Sequence, residues 1–173
     1  MITRYDSFFS EEVFLDIKKH INDLMTNKST AFMTSMSWQD GLKGNSGLIA
    51  RYSFDSSDIG IYKSIRKEIE SKTHFFVNTG VIHILPPLSY ITWHSDPHCK
   101  AALTIYLNDK WNDDWGGYLM YNEKDEIKAI KPERNLGVLQ QTPVNHCVST
   151  VNVGADYRVS LQFFLTDVKK NMV

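Results

Sequence analysis

From His74 to Leu165 the chain is a train of short runs rich in β-branched and aromatic residues, and no other feature narrows the fold so much. The runs are His74–Asn78, Val81–Leu85, Tyr90–Trp93, Ala102–Leu107, Tyr118–Tyr121, Gly137–Gln140, His146–Val151 and Arg158–Leu165. Such side chains suit a pleated, half-buried surface. Turn-forming residues separate them: Pro86-Pro87, Asn108-Asp109, Gly116-Gly117, Asn135 and Gly154. About eight strands so spaced predict a barrel or sandwich, with a jelly-roll barrel the preferred form.

The first third reads differently. Ser10 is placed to cap a helix that carries Glu11 and Glu12 in its first turn, where carboxylates favour the positive end of the helix dipole. Phe14, Ile17, Ile21 and Leu24 then recur at helical spacing and mark one buried stripe. A second helix is predicted from about Ser57 to Ser71, with Ile61, Ile65 and Ile69 four apart. Between them, Trp38 to Gly47 is glycine-rich and polar and reads as a loop. The expected class is therefore α+β, mainly β. A helical portion over 1–72 packs on one face of a core over 74–168, in one domain spanning 1–173.

A chain of 173 residues is long enough for a sizeable core, and 42% hydrophobic with 12% aromatic residues supplies one. Nineteen basic against twenty acidic residues give a net charge of -1, which offers no single-sign field to nucleic acid or an anionic membrane. The Lys169-Lys170 pair is too short to alter that. Mean hydropathy is -0.31, and no apolar run reaches the roughly 18 residues of a membrane span. Met1 to Asp6 has no apolar signal-peptide core, and Cys99 and Cys147 are read as two reduced thiols. A soluble, cytoplasmic protein is expected.

The chemistry gathers around Trp93-His94-Ser95-Asp96-Pro97. On an extended chain, residues two apart point to the same side, so His94 and Asp96 can face one ion. A histidine from a distant strand, His146, completes a two-His-one-carboxylate set, which leaves positions open on non-haem Fe(II). Alone, His94-Ser-Asp96 also reads as a surface turn in which Asp96 caps an amide, and His146 as a half-buried strand histidine. Arg158 follows His146 by twelve positions, enough for a turn at Asn152–Ala155 and an adjacent antiparallel return. An arginine at the head of an apolar strand calls for a carboxylate partner, and Ser160 shares its face.

The order His94, Asp96, His146, Arg158 resembles the Fe(II)/2-oxoglutarate-dependent dioxygenases. The block Ala101–Trp111, followed by Asp114-Trp-Gly-Gly-Tyr-Leu119, is similar to the strand-turn-glycine block of the prolyl hydroxylase branch. That branch includes the oxygen-sensing egg-laying-nine type and the ribosomal prolyl hydroxylases. The likeness spans roughly 74 to 168. It implies a double-stranded β-helix core, with His94, Asp96 and His146 as ligands of Fe(II). Arg158 and Tyr106 would then bind the distal carboxylate of the co-substrate 2-oxoglutarate, with Ser160 assisting and Tyr90 a further pocket residue. Dioxygen is the third reactant and ascorbate a supporting reductant. The glycine often found ahead of the His-x-Asp pair is absent here.

The implied activity is hydroxylation of an unactivated C–H bond, of a peptidyl proline or of a small molecule such as a free amino acid. The rival is a non-catalytic, cupin-like metal-binding domain. Pro97 and its extended flanks argue against a helical zinc pair of His94 with His98. His20, His74 and His83 are read as surface or packing residues, and Cys147 as core. Trp111 and Trp115 are expected to frame the loop before Gly116. Trp38, Arg51, Trp93 and Lys100 are candidates for the substrate rim.

Overall fold

The computed structural model describes residues 1–26, 33–38, 44–53, 59–141 and 143–168. Among these residues two α-helices, α1 (Glu11–Thr26) and α2 (Ile59–Thr73), and a short 3-10 turn at Asp113–Trp115 accompany eleven strands. These are β1 (Ile2–Tyr5), β2 (Met33–Trp38), β3 (Gly44–Ser53), β4 (Phe76–Leu85), β5 (Ile91–His94), β6 (Ala101–Tyr106), β7 (Leu119–Glu123), β8 (Glu126–Ile130), β9 (Gly137–Gln141), β10 (His146–Val148) and β11 (Arg158–Thr166).

They form one curled sheet in the order β1-β9-β6-β11-β4-β3-β5-β10-β7-β8, with β2 beside β3. Each pairing is antiparallel, but β10 and β11 are not the adjacent pair that the spacing of His146 and Arg158 predicts. Strand β10 lies between β5 and β7, and β11 between β6 and β4, because the chain crosses to the other half of the curl after Val151. Strand β3 is where the sheet turns. Its Ala50–Ser53 segment pairs with β4, while Ser46 pairs with Ile91 of β5. The α+β, mainly β class is as expected.

Period two divides the two faces. On β11, Leu161, Phe163 and Leu165 join Leu103 and Ile105 of β6 and Ile82 and Ile84 of β4 in one apolar layer. The helices cover it with Phe14, Ile17 and Ile21 from α1 and Ile65 and Ile69 from α2. Alternate residues of the same strands face the inside of the curl, where the polar side chains collect.

Several expectations need revision. The first 72 residues are not simply helical, because β1, β2 and β3 lie there and β3 is integral to the sheet. The two runs at His74–Asn78 and Val81–Leu85 are one ten-residue strand, with polar Asn78-Thr79-Gly80 carried in mid-strand by pairing to β11. The loop expected at Trp38–Gly47 holds the end of β2 and the start of β3; positions 39–43 and the predicted start of α2 at Ser57 lie outside the described residues, as does Lys169-Lys170. Ser10 precedes α1 as expected, but its hydroxyl donates to Glu68 Oε1 at 2.6 Å across to α2.

Candidate active site

His94 ends β5 and His146 opens β10, and the two are register partners in adjacent antiparallel strands. Their rings lie 4.3 Å apart between centroids. Asp96, buried just past β5, comes within 3.6 Å of His146 Nε2 through Oδ2. The donor atoms of His94, Asp96 and His146 all fall within 4.8 Å of one another, the one such cluster among the described residues. Donors about 2.1 Å from a shared ion and at right angles stand about 3 Å apart, so only slight closure is needed. Two imidazoles and a carboxylate fit a divalent first-row metal.

Both histidines are oriented by the same device. His94 Nδ1 is 2.8 Å from the Thr92 carbonyl and His146 Nδ1 is 2.9 Å from that of Val144. A carbonyl accepts, so Nδ1 carries the proton and Nε2 is the ligating nitrogen. Burial pushes the His146 imidazole downward, assisted by His94 and opposed by the Val144 carbonyl and Asp96, so the neutral, ligating form is favoured.

A β-bulge lies between the β5–β10 pairs His94↔His146 and Ile91↔Val148, three residues on one strand against two on the other. It turns Ile91 and His94 to the same cavity although they are three apart. Tyr90, four before His94, is thereby placed outside the group, and it is 36% exposed.

Arg158 is 2% exposed. Its Nε donates to the Gly117 carbonyl at 2.8 Å and its Nη1 to Ser160 Oγ at 3.0 Å. Gly117 has a φ of 65°, and a Cβ there would stand 3.0 Å from Arg158 Cδ and 3.1 Å from the Trp111 ring, so glycine lets the backbone meet the guanidinium stem. Trp111 Nε1 donates to the Gly116 carbonyl at 2.8 Å and its ring meets Trp115 edge-on, framing that turn as expected. Tyr106 is fully buried under the guanidinium, whose carbon lies 5.0 Å from its ring centroid. Its hydroxyl lies near the Arg158 guanidinium but has no partner in good hydrogen-bond geometry. Burial pushes the phenol up, with the Arg158 charge offsetting this in part, and burial likewise pulls Arg158 down. A buried cation that no described carboxylate meets and a buried phenol without a well-aligned partner are each costly. A ligand carboxylate would satisfy both.

His94, Asp96, His146, Arg158 and Ser160 line one cavity of about 260 Å³, with Tyr106 packed behind Arg158. Sequence reasoning missed part of its lining. His83, read as a surface or packing residue, faces it instead, with Thr79 on the same strand and Thr104 and Gln162 opposite. Burial, then the charges of Arg51, Arg158 and His94, push the His83 imidazole down to about 3, so it is neutral at ordinary pH. The signal was the even spacing of Arg158, Ser160, Gln162 and Phe164 on β11, whose partners on β4 are the odd residues from Leu85 through His83 to Thr79. Of the rim candidates, Arg51 lines the cavity, whereas Lys100 is largely exposed beside Asp167. His98 lies at the cavity edge against the Phe164 ring, outside the metal-binding cluster. The side chain of Trp38 lies outside the described residues.

Comparison with known proteins accords with this geometry. Residues 81–166 match the family model described as the 2OG-Fe(II) oxygenase superfamily. Among solved structures, a Pseudomonas putida prolyl-4-hydroxylase superposes with a TM-score of 0.73 at 13% identity, over 97% of this chain and 93% of that one. A Trichoplax adhaerens prolyl hydroxylase, in complex with a hypoxia inducible factor oxygen degradation domain peptide fragment, gives 0.72 at 14%, over 94% and 83%. A viral collagen prolyl hydroxylase from Paramecium Bursaria Chlorella virus-1, as a 2OG complex, gives 0.63 at 15%, over 95% and 96%. No curated protein matches by sequence. The fold is the double-stranded β-helix of these enzymes. Residues 81–166 are thus similar to the 2OG-Fe(II) oxygenase superfamily, a family that works with Fe(II), 2-oxoglutarate and dioxygen.

Proposed function

We propose that the protein is a hydroxylase in which His94, Asp96 and His146 bind Fe(II), while Arg158, Tyr106 and Ser160 bind the distal carboxylate of 2-oxoglutarate. The observation that carries this is the pairing, in one cavity, of a three-donor cluster with a buried guanidinium that no described carboxylate meets, backed by the buried Tyr106 phenol. With dioxygen, the iron and keto acid supply the oxidising power for an unactivated C–H bond, releasing succinate and carbon dioxide. The chain's own residues position and exclude. Arg158 offers its remaining N–H groups as a planar fork, and Tyr106 adds one O–H donor to the same end. Ile91, Leu119 and Val148 line the wall apolar side out and limit the water that reaches the reacting atoms. A prolyl C–H bond is one substrate this reading allows, in keeping with the prolyl hydroxylases of similar fold, and a small molecule is the other.

Purified protein given Fe(II), 2-oxoglutarate and ascorbate is expected to form succinate. Zn(II) in place of iron is expected to give none, and so is Asp96→Ala. Stoichiometric metal binding with no succinate under any substrate mixture would make this a metal-binding domain without catalysis and refute the proposal.

A further inference from the structure

One row of residues crosses four strands on the inner face. Tyr106 of β6 pairs with Ser160 of β11, Ser160 with His83 of β4, and His83 with Arg51 of β3. The Arg158 end of this row already has its ligand in the oxygenase reading. The other end does not. Arg51 lines the same cavity, it is exposed at the rim, and no carboxylate among the described residues pairs with it. Beside it, His83 Nε2 is buried with no hydrogen-bond partner. Strands about 5 Å apart put Arg51 about 10 Å along the row from Ser160, too far to share a carboxylate held by Arg158.

Charge balance sharpens the point. The two positive charges of Fe(II) and the one of Arg158 are matched by Asp96 and by doubly charged 2-oxoglutarate. Among the described residues Arg51 is then a cation that no carboxylate meets, at the exposed rim of the cavity where a ligand's carboxylate can reach it. The cavity, at about 260 Å³, falls below the roughly 300–1,000 Å³ usual for ligand sites, so beside the keto acid it admits only a small group.

We propose that Arg51, with His83 beside it, binds a carboxylate of the substrate, so that the substrate is a carboxylic acid presented carboxylate-first, either a free amino or organic acid or the C-terminal end of a peptide. This rests on the oxygenase reading above. Arg51 makes a charge-assisted fork to the acid, and the neutral His83 ring contributes one N–H donor. The row fixes the distance between the bound carboxylate and the metal-binding cluster, and so selects the carbon presented for oxidation.

The test uses four probe mixtures: free L-amino acids, their C-terminal amides, proline-containing tripeptides with free C-termini, and the same tripeptides amidated. Each is added to the Fe(II)/2-oxoglutarate enzyme, and succinate formation and oxygen incorporation are followed. An acid mixture is expected to stimulate turnover and its amide counterpart not; which acid mixture does so separates the free acid from the peptide end. For the stimulating acid, Arg51→Leu should raise KM at least tenfold with little change in kcat, and Arg51→Lys should recover part of the loss. Calorimetry with Mn(II) replacing iron should show the same tenfold loss of affinity without turnover. Equal stimulation by amides, an unchanged KM and affinity in Arg51→Leu, or no binding of any acid would overturn the proposal. Anaerobic addition of Fe(II) and 2-oxoglutarate to the wild type, followed by its visible charge-transfer absorption, tests the oxygenase reading separately.

Discussion

Arg158 spends one N–H on a backbone carbonyl and one on a serine hydroxyl, and a guanidinium has five. The rest of the fork is fixed in direction before any ligand arrives, because Gly117 and Ser160 hold it from two sides. Replacing Arg158 with Ala should therefore raise the 2-oxoglutarate requirement far more than the iron requirement. About 2–5 kcal/mol is the scale for losing one partner of a buried charge pair. Lysine should rescue poorly, since a point charge cannot reproduce the fork. Separate titrations of 2-oxoglutarate and iron check this, and equal changes in both would move the role elsewhere. At this scale the sequence was informative where the pattern was local. His94 and Asp96 are two apart, and Arg158 and Ser160 share one strand face. Arg51 and His83 come together only through the β3–β4 register, which nothing in either segment specifies. Tyr90 was misplaced by a bulge that inverts the alternation leading to His94.

Among elements, α1 was readable because its stripe Phe14, Ile17, Ile21 and its acidic first turn agree. Strands β1 and β8 were not, since each is a short edge strand with polar residues that pair on one side only. Strand β3 begins with glycine and polar residues that imitate a loop, and its strand character comes from its neighbours. The tie between α1 and α2 was also invisible, because it depends on how the helices cross. Glu68 accepts from the Ser10 amide at 3.0 Å, from its hydroxyl at 2.6 Å and from Lys72 at 3.0 Å. Burial pushes the Glu68 carboxyl up, but these hydrogen bonds outweigh it and hold the group below its usual 4.5. A folded value below the unfolded one means the stabilisation is fully present above about 4.5 and fades as pH falls below it. Glu68→Gln should cost about 1 kcal/mol at pH 7, the charged-bond value discounted for partial exposure. Denaturant titrations from pH 7 to 3 should show the wild type losing this margin and the variant showing a shallower decline; parallel curves would deny Glu68 the role.

At the scale of the molecule, the site is assembled from both halves of the curled sheet. His94 and His146 belong to the β5–β10 side, Arg158, Ser160 and Tyr106 to the β11–β6 side, and β3 joins the two. A metal and a dicarboxylate bound between them would link strands that are otherwise connected only through that turn. Binding to the folded state alone also stabilises it by mass action, about 2.7 kcal/mol at a hundredfold excess over Kd. For a chain of this size each kcal/mol moves Tm by about 2–4 °C. Anaerobic Fe(II) with 2-oxoglutarate should thus raise Tm by about 5–10 °C over the chelated protein. Fe(II) alone should give part of that rise, and 2-oxoglutarate alone little, because in the proposed mode the keto acid is held by the metal as well as by Arg158. In Asp96→Ala the rise should largely vanish, since a hard carboxylate supplies much of the metal affinity. Arg158→Ala should keep the iron increment and lose the 2-oxoglutarate one. If the keto acid raised Tm equally in the presence and absence of metal, the cluster and the Arg158 cradle would be two independent sites.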